Sequence, residues 1–329
     1  MRKWLSSLVA GMAAMAVTAP SAWAETWDMP TPYPGAAFHT VNIQQFAEDV
    51  ERATEGRLTI NVHSAGSLFK HPEIKNAVRG GQVAIGEFLL SRLANQNPLF
   101  QIDAVPFLAT NYEQAGRLWD ASRPRIEQLL AREGLMVLFS VPWPPQGLYA
   151  RRPVTTIEDL RGLRFRAYNT STERLAQLAG AVPTQIEVPD IPQAFATGRV
   201  EAMITSPSTG ANAKAWDFVE HFYHTQAWLP KNVVVVNERA FRQLDPVVQG
   251  TVLGAAAAAE RRGWEMSRAE TEAKLALLET NGMRVATPSP ELANGLEAIG
   301  GVMVEEWMQQ AGSEAAPVLD AFTRQSGDS

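Results

Sequence analysis

The order of apolar and polar positions predicts helices that alternate with strands along most of the chain. Apolar residues at helical spacing predict a helix over residues 42–54, and strict alternation predicts a half-buried strand over residues 58–63. Continuous apolar runs at 135–141 and 233–236 are typical of strands that are buried on both faces. Strands alternating with helices favour parallel sheets, so we expect an α/β fold.

Two breaks and one long helix predict how this pattern divides into domains. Residues 142–147, with the sequence PWPPQG, cannot continue a helix or a central strand, and a second crossing is expected near residues 230–232. Residues 245–281 predict one helix of about 37 residues, long enough to span more than one domain. We therefore expect two α/β domains joined by a hinge, with a long domain-spanning helix. The first domain would comprise residues 25–146 plus 233–275, and the second residues 147–232 plus 276–329.

The first 24 residues have the three-part pattern of a secretory signal peptide. Arg2 and Lys3 precede a mostly apolar stretch over residues 5–17, and Ala22-Trp23-Ala24 is a small-x-small cleavage site. The apolar stretch is shorter than the ~20 residues of a membrane span, although an uncleaved N-terminal anchor is the alternative. We therefore expect cleavage after Ala24 and a periplasmic protein.

Composition excludes several classes of protein. The chain has 329 residues and no cysteine, which excludes disulfides, cysteine-ligated metal centres, a thiol nucleophile and lipid attachment at an N-terminal cysteine. The formal net charge is −6, and it becomes −8 once residues 1–24, with two cations and no anion, are removed. Nucleic-acid binding needs a basic face, so we expect no nucleic-acid partner.

A search for catalytic and metal-binding motifs finds none that predicts a reaction. The chain has no G-x-S-x-G, G-x-x-x-x-G-K-[ST], G-x-G-x-x-G or H-E-x-x-H pattern. His221 and His224 could share one helical face, but a metal site needs at least a third ligand. We expect no metal and no cofactor, and histidines that lie at a surface or an interface.

Arg166 is the residue that the pattern singles out for binding. Alternation over residues 163–168 places Arg164 and Arg166 on one face of a strand, opposite Leu163 and Phe165. The planar guanidinium matches a carboxylate and stays charged when partly buried. The alternative is an arginine that is exposed or paired with Asp or Glu.

Two further features are compatible with binding or with structure alone. Residues 206–210 follow a predicted strand and precede a predicted helix, so they suit either a ligand oxygen or plain N-capping. Aromatic residues cluster at the two crossings, where they could line a pocket or pack the hinge. They are Trp143, Tyr149, Trp216, Phe222, Tyr223 and Trp228.

Several stretches resemble one family over essentially the whole chain after residue 24. The clearest is 157–166, IEDLRGLRFR, and it is followed by 194–202, AFATGRVEA; residues 42–68, 81–86 and 103–108 add to it. In these stretches the chain resembles the solute-binding subunits of tripartite ATP-independent periplasmic (TRAP) transporters, which include C4-dicarboxylate and sialic-acid receptors. The resemblance implies a periplasmic solute-binding fold.

The resemblance also implies roles for particular residues. The carboxylate-binding arginine of the family falls on Arg166, Asn169 matches a frequent ligand-contact position, and Glu87 matches a polar contact of some members. Gln146 stands where sialic-acid receptors carry a second arginine, and the region of Thr205 and Ser206 stands where they have an asparagine. These departures imply a ligand with one carboxylate. The less polar remainder of that ligand would contact Trp143, Phe88 or Trp228.

The expected function is therefore capture of an organic acid and its delivery to the membrane subunits of a TRAP transporter. The resemblance implies a monomer that carries out no reaction, and the expected ligand is a monocarboxylate, such as an aromatic or hydroxy acid. The alternatives are a receptor that reports its ligand to a signalling partner and a periplasmic enzyme.

Overall fold

A computed structural model describes residues 24–324 of the chain. The predicted signal peptide therefore lies outside the described residues, except for Ala24. Within the described part, none of the helices combines the length and the apolar character that crossing a membrane requires.

Strands and helices alternate as the sequence predicts. The strands are β1 Glu25–Pro30, β2 Leu58–His63, β3 Ile85–Leu89, β4 Leu135–Pro142, β5 Gly147–Ala150, β6 Arg164–Ala167, β7 Val182–Gln185, β8 Ala202–Thr205, β9 His221–Tyr223, β10 Lys231–Asn237 and β11 Arg284–Ala286. The helices are α1 Phe38–Ala53, α2 His71–Arg79, α3 Tyr112–Ala131, α4 Thr170–Leu178, α5 Ile191–Ala196, α6 Pro207–Asn212, α7 Glu238–Gln243, α8 Pro246–Thr280, α9 Pro290–Ala311 and α10 Ala315–Arg324. Short 3-10 turns include Leu90–Leu93, Pro98–Ala104 and Ile157–Leu160.

The strands form two separate groups, which we call the first and second lobes, and they confirm the α/β class. The first lobe contains the pair β1-β2 and the sheet β3-β10-β4, and the second contains the sheet β11-β9-β5-β8-β6-β7. Parallel pairing was expected throughout, but β10 runs antiparallel to β3 and β4, and β5 runs antiparallel to β8 and β9. Both strands arrive directly from the other lobe, without the crossover helix that joins parallel strands.

The chain crosses between the lobes in two segments that lie side by side. The first crossing covers residues 143–146 and the second covers residues 224–230. The Trp143 amide donates to the Pro230 carbonyl at 2.8 Å, and the Gln146 amide donates to the Trp228 carbonyl at 3.0 Å. The second crossing starts earlier than expected, and residues 231–232 belong to β10 in the first lobe.

The long helix α8 contacts both lobes, as expected of a domain-spanning helix. It packs against β4 in the first lobe, while Glu270 accepts a 2.5 Å hydrogen bond from Ser208 in the second. The chain end departs from the expected division. Helix α9 carries it back toward the first lobe, where Trp307 donates to the Pro98 carbonyl at 2.8 Å, and α10 packs on α3. Residues 315–324 therefore pack with the first lobe rather than the second.

Candidate ligand-binding cleft

A small cavity lies between the lobes, next to the paired crossings. Small-molecule sites favour such domain interfaces. Both lobes and both crossings contribute to its lining. The lining residues are Tyr33, His71, Leu89, Arg92, Trp143, Gln146, Arg166, Tyr168, Glu187, Val188, Thr205, Thr209 and Pro230.

Arg166 lies on β6 of the second lobe and is only 1% exposed. Its Nε donates to the Ile186 carbonyl at 3.0 Å, and its guanidinium carbon lies 5.0 Å from the centre of the Tyr168 ring. Within residues 24–324, its Nη1 has no hydrogen-bond partner. Burial lowers the pKa of Arg166 to about 10, so the group remains charged at neutral pH. Glu187 acts on this charge only from beyond ion-pair distance, so a ligand carboxylate would relieve much of the cost of burying it.

A second arginine lines the cavity, but it is already paired. Arg92 Nη1 lies 3.0 Å from Glu187 Oε1 and also donates to the Tyr168 carbonyl at 2.8 Å. His71 Nε2 accepts the Leu89 amide at 3.1 Å, which places the proton on Nδ1, 3.4 Å from Glu187 Oε2. Glu187 of the second lobe therefore interacts with two side chains of the first lobe, the Arg92 guanidinium and the His71 imidazole.

These contacts join the two lobes across the cleft. Burial acts to raise the pKa of Glu187, but His71 and Arg92 outweigh it and lower that pKa, so the carboxylate is ionised at neutral pH. Burial lowers the pKa of His71, so this imidazole is neutral there. Asn169 of the second lobe adds a 2.8 Å hydrogen bond to Ser91 of the first.

Three of the residues predicted from the sequence, Arg166, Gln146 and Trp143, meet in this cavity. Three others lie just outside its lining. Trp228 lies behind the cavity and donates to the Tyr168 hydroxyl at 3.2 Å. Asn169 caps α4 by accepting the Thr172 amide at 2.9 Å, and Ser206 caps α6 by accepting the Thr209 amide at 3.0 Å. Ser206 therefore acts as an N-cap, while Thr209 of the same segment lines the cavity.

The remaining two predicted residues lie on β3 and point to opposite sides of the sheet. Phe88 is buried in an apolar core cluster with Ile74 and Phe100, away from the cavity lining. Glu87 is also buried and lies behind the cavity wall, where Thr31 and Asn232 donate to it. Neither side chain lines the cavity.

Several lining residues were not predicted from the sequence. Tyr168 directly neighbours the predicted Asn169, and this adjacency was the available signal. Thr205 belongs to the region that the family resemblance had already indicated, together with Ser206. Tyr33, His71, Arg92 and Glu187 come from four separate segments, and no local pattern relates them. His221 and His224, considered as metal ligands, lie on and just after β9, and the described residues contain no cluster of His, Asp and Glu that could hold a metal ion.

Two α/β lobes, paired crossings and a buried cation at the interlobe cleft define a two-lobed solute-binding protein. The family follows from the sequence match. The chain belongs to the bacterial extracellular solute-binding proteins of family 7 (DctP), whose family model matches residues 37–310. The TRAP-family resemblance predicted from the sequence is thereby confirmed.

Solved structures and one relative show how close the match is. DctP7 of Bordetella pertussis, an extracytoplasmic solute receptor binding pyroglutamic acid, is 46% identical with a TM-score of 0.90, over 91% of this chain and 100% of that one. A marine metagenome TRAP solute-binding protein specific for pyroglutamate is 37% identical with a TM-score of 0.90, over 92% and 99%. A solute-binding protein of Albidiferax ferrireducens is 27% identical over 63% of this chain and 64% of its own length.

Proposed function

We propose that this protein captures a small acid with a single carboxylate, of the pyroglutamate type, and delivers it to the membrane subunits of a TRAP transporter. The observation that carries the proposal is the Arg166 guanidinium, which is buried in the cleft with Nη1 unpaired among the described residues. A carboxylate there would form charge-assisted hydrogen bonds in a site that excludes water.

The state of the other polar groups supports a single carboxylate. Arg92 already has Glu187 as its counter-ion, so it does not offer a second free charge. Gln146 donates to the Pro144 carbonyl at 2.8 Å and accepts from the Tyr168 hydroxyl at 3.2 Å, so it orients Tyr168. A second ligand carboxylate would lie near Glu187 without a cation of its own, which is unfavourable.

The rest of the lining supports a compact ring with an N–H group. Tyr33, Trp143 and Tyr168 supply aromatic surface, and the Glu187 carboxylate supplies an acceptor. A cyclic lactam acid offers an apolar ring edge, a donor and a single carboxylate. Such a ligand fits this lining better than the aromatic or hydroxy acid expected from the sequence. Two similar proteins that bind pyroglutamate support the same ligand class.

The proposed cycle needs export, closure and release, and no chemical reaction. The signal peptide would be removed after Ala24, and the monomer would close around residues 143–146 and 224–230. A ligand that contacts both lobes favours the closed form by its differential affinity. The closed form would then dock on the membrane subunits.

A thermal-shift series tests the proposed ligand class. L-pyroglutamate at a concentration of 100 Kd should add about 2.7 kcal/mol to the free energy of unfolding, because it binds only the folded state. Succinate, D-glucuronate, lactate and benzoate should raise the melting temperature much less at the same concentration. A larger shift with succinate would overturn the single-carboxylate proposal, and recovery of a chemically altered ligand would overturn the non-enzymatic one.

Glu187→Gln should weaken L-pyroglutamate binding by about tenfold, a loss of about 1.4 kcal/mol. The variant keeps the shape of the side chain but removes its negative charge. That charge attracts Arg92 and strengthens the hydrogen bond from His71 across the cleft. Isothermal titration calorimetry would measure this, with Glu306→Gln as the matched control. Glu306 pairs with Arg174 outside the cavity lining. Equal affinities of the two variants would contradict the role of Glu187.

A further inference from the structure

A buried hydrogen-bond network lies behind the aromatic wall of the cleft. Asn232 is 1% exposed, and its Oδ1 accepts from the Tyr33 hydroxyl and from Trp143 Nε1, each at 3.0 Å. The Tyr33 and Trp143 rings meet edge to face, with centroids 5.0 Å apart, and both line the cavity. One carbonyl oxygen thus binds the polar atoms of two lining rings.

The orientation of the Asn232 amide is set by Glu87. Asn232 Nδ2 donates to Glu87 Oε1 at 3.0 Å, and Thr31 donates to Glu87 Oε2 at 2.6 Å. His39 Nδ1 lies 3.4 Å from Oε1. Burial acts to raise the pKa of Glu87, but the neighbouring His39 and the hydrogen bonds from Thr31 and Asn232 outweigh it and lower that pKa. A carboxylate accepts only, so the amide nitrogen must face it and the amide oxygen must face the rings.

The network also connects the two crossings between the lobes. Trp143 begins the first crossing, and Asn232 lies two residues beyond the end of the second. Asn232 is paired in register with Leu89 on β3 and with Val141 on β4. The rings are therefore anchored to the central strand of the first lobe, at the point where the chain leaves that lobe. Without Asn232, two buried donors would lose their acceptor, which is costly for each.

We propose that Glu87 and Asn232 are positioning residues that hold the aromatic wall, Tyr33 and Trp143, in its ligand-binding orientation. Neither residue lines the cavity, so their effect on the ligand is indirect. This inference rests on the proposed function, because it requires a ligand that packs against that wall.

A double-mutant cycle with L-pyroglutamate tests the pair. Asn232→Asp places two carboxylates face to face and should weaken binding by at least about 30-fold, because buried like charges repel strongly. Glu87→Gln should stay within about fivefold of the parent protein, since the new amide can donate to the Thr31 hydroxyl and still accept from Asn232. The double variant should also return to within about fivefold, because the amide introduced at position 87 can donate to the new carboxylate at position 232 and all ring contacts are kept.

The readouts separate positioning from folding. Calorimetry gives the dissociation constant of folded protein, while the ligand-free melting temperature and the near-ultraviolet circular dichroism report stability and ring packing. A purely structural pair would change the melting temperature without changing affinity, and that result would overturn the inference. If Asn232→Asp does not fold, Asn232→Ala removes the acceptor without adding charge and should bind at least about tenfold more weakly. If the parent protein binds no acid, the proposed function fails instead.

Discussion

Arg166→Ala is expected to weaken L-pyroglutamate binding by about three orders of magnitude. Truncating one partner of a buried, hydrogen-bonded charge pair costs about 2–5 kcal/mol, and the other partner here would be the ligand carboxylate. Arg92 would not substitute for the lost charge, because Glu187 already pairs with it. Calorimetry on the purified protein would measure the loss.

Two variants control for charge and position. Arg166→Lys keeps a cation but loses the planar pair of donors, and we expect about 100-fold weaker binding. Arg164 lies two residues earlier on the same strand, half exposed and paired with Glu201 at 3.2 Å, so Arg164→Ala should bind as the parent does. Binding of the acid by Arg166→Ala within about threefold of the parent would contradict the carboxylate role.

Arg166, which the ligand requires, should make the ligand-free protein less stable than it would be with an apolar residue at this position. Arg166 is buried with Nη1 unpaired among residues 24–324. Such a group lowers the stability of the ligand-free fold and is kept because binding requires it. Arg166→Met removes the charge while filling much of the volume. Its ligand-free melting temperature should equal or exceed that of the parent protein, although it binds no acid. A melting temperature several degrees lower would show that Arg166 instead stabilises the ligand-free fold.

The sequence predicts the parts of this fold that depend on local pattern. The long helix was expected over residues 245–281 and is observed as α8, Pro246–Thr280, because the alanine block at residues 255–259 and the absence of proline after Pro246 are local signals. The largely apolar run at residues 103–108 favours a strand, although Pro106 interrupts it. In the structure residues 103–104 end a 3-10 turn, and Phe107 has a φ of 61°, next to Pro106, which has no amide proton to donate to a sheet.

The site was predictable only where it coincides with a strand, with a crossing between the lobes or with a family motif. Alternation and resemblance both indicate Arg166, and the structure places it in the cavity. Glu87 was expected to contact the ligand, yet it lies one layer behind the lining, because only the three-dimensional fold shows that Asn232 stands between Glu87 and the rings. The pairing of Arg92 with Glu187 joins positions 95 residues apart and leaves no local signal.

A buried ion pair supports the strand that follows the second crossing. Asp103 Oδ2 accepts the Lys231 amide at 2.7 Å and lies 3.9 Å from Lys231 Nζ, and the Lys231 side chain is 1% exposed. Burial raises the pKa of Asp103 to about 6 and lowers the pKa of Lys231. Both shifts favour the neutral forms, so the cost of burying these charges exceeds their mutual attraction. Such a pair stabilises the fold only while both partners are present.

Asp103→Ala should therefore lower the free energy of unfolding by about 3–5 kcal/mol, because it leaves the Lys231 ammonium buried without its nearest carboxylate. The double variant Asp103→Asn with Lys231→Met should recover at least the parent stability, since asparagine can still accept the residue 231 amide and methionine is apolar. Urea unfolding followed by circular dichroism would compare the variants. Parent-like stability of Asp103→Ala, or a double variant as unstable as the single one, would show that the charges of this pair do not determine stability here. If the pair behaves as expected, both crossings are fixed by buried polar contacts, Asp103 holding the start of β10 and Asn232 holding the aromatic wall beside it.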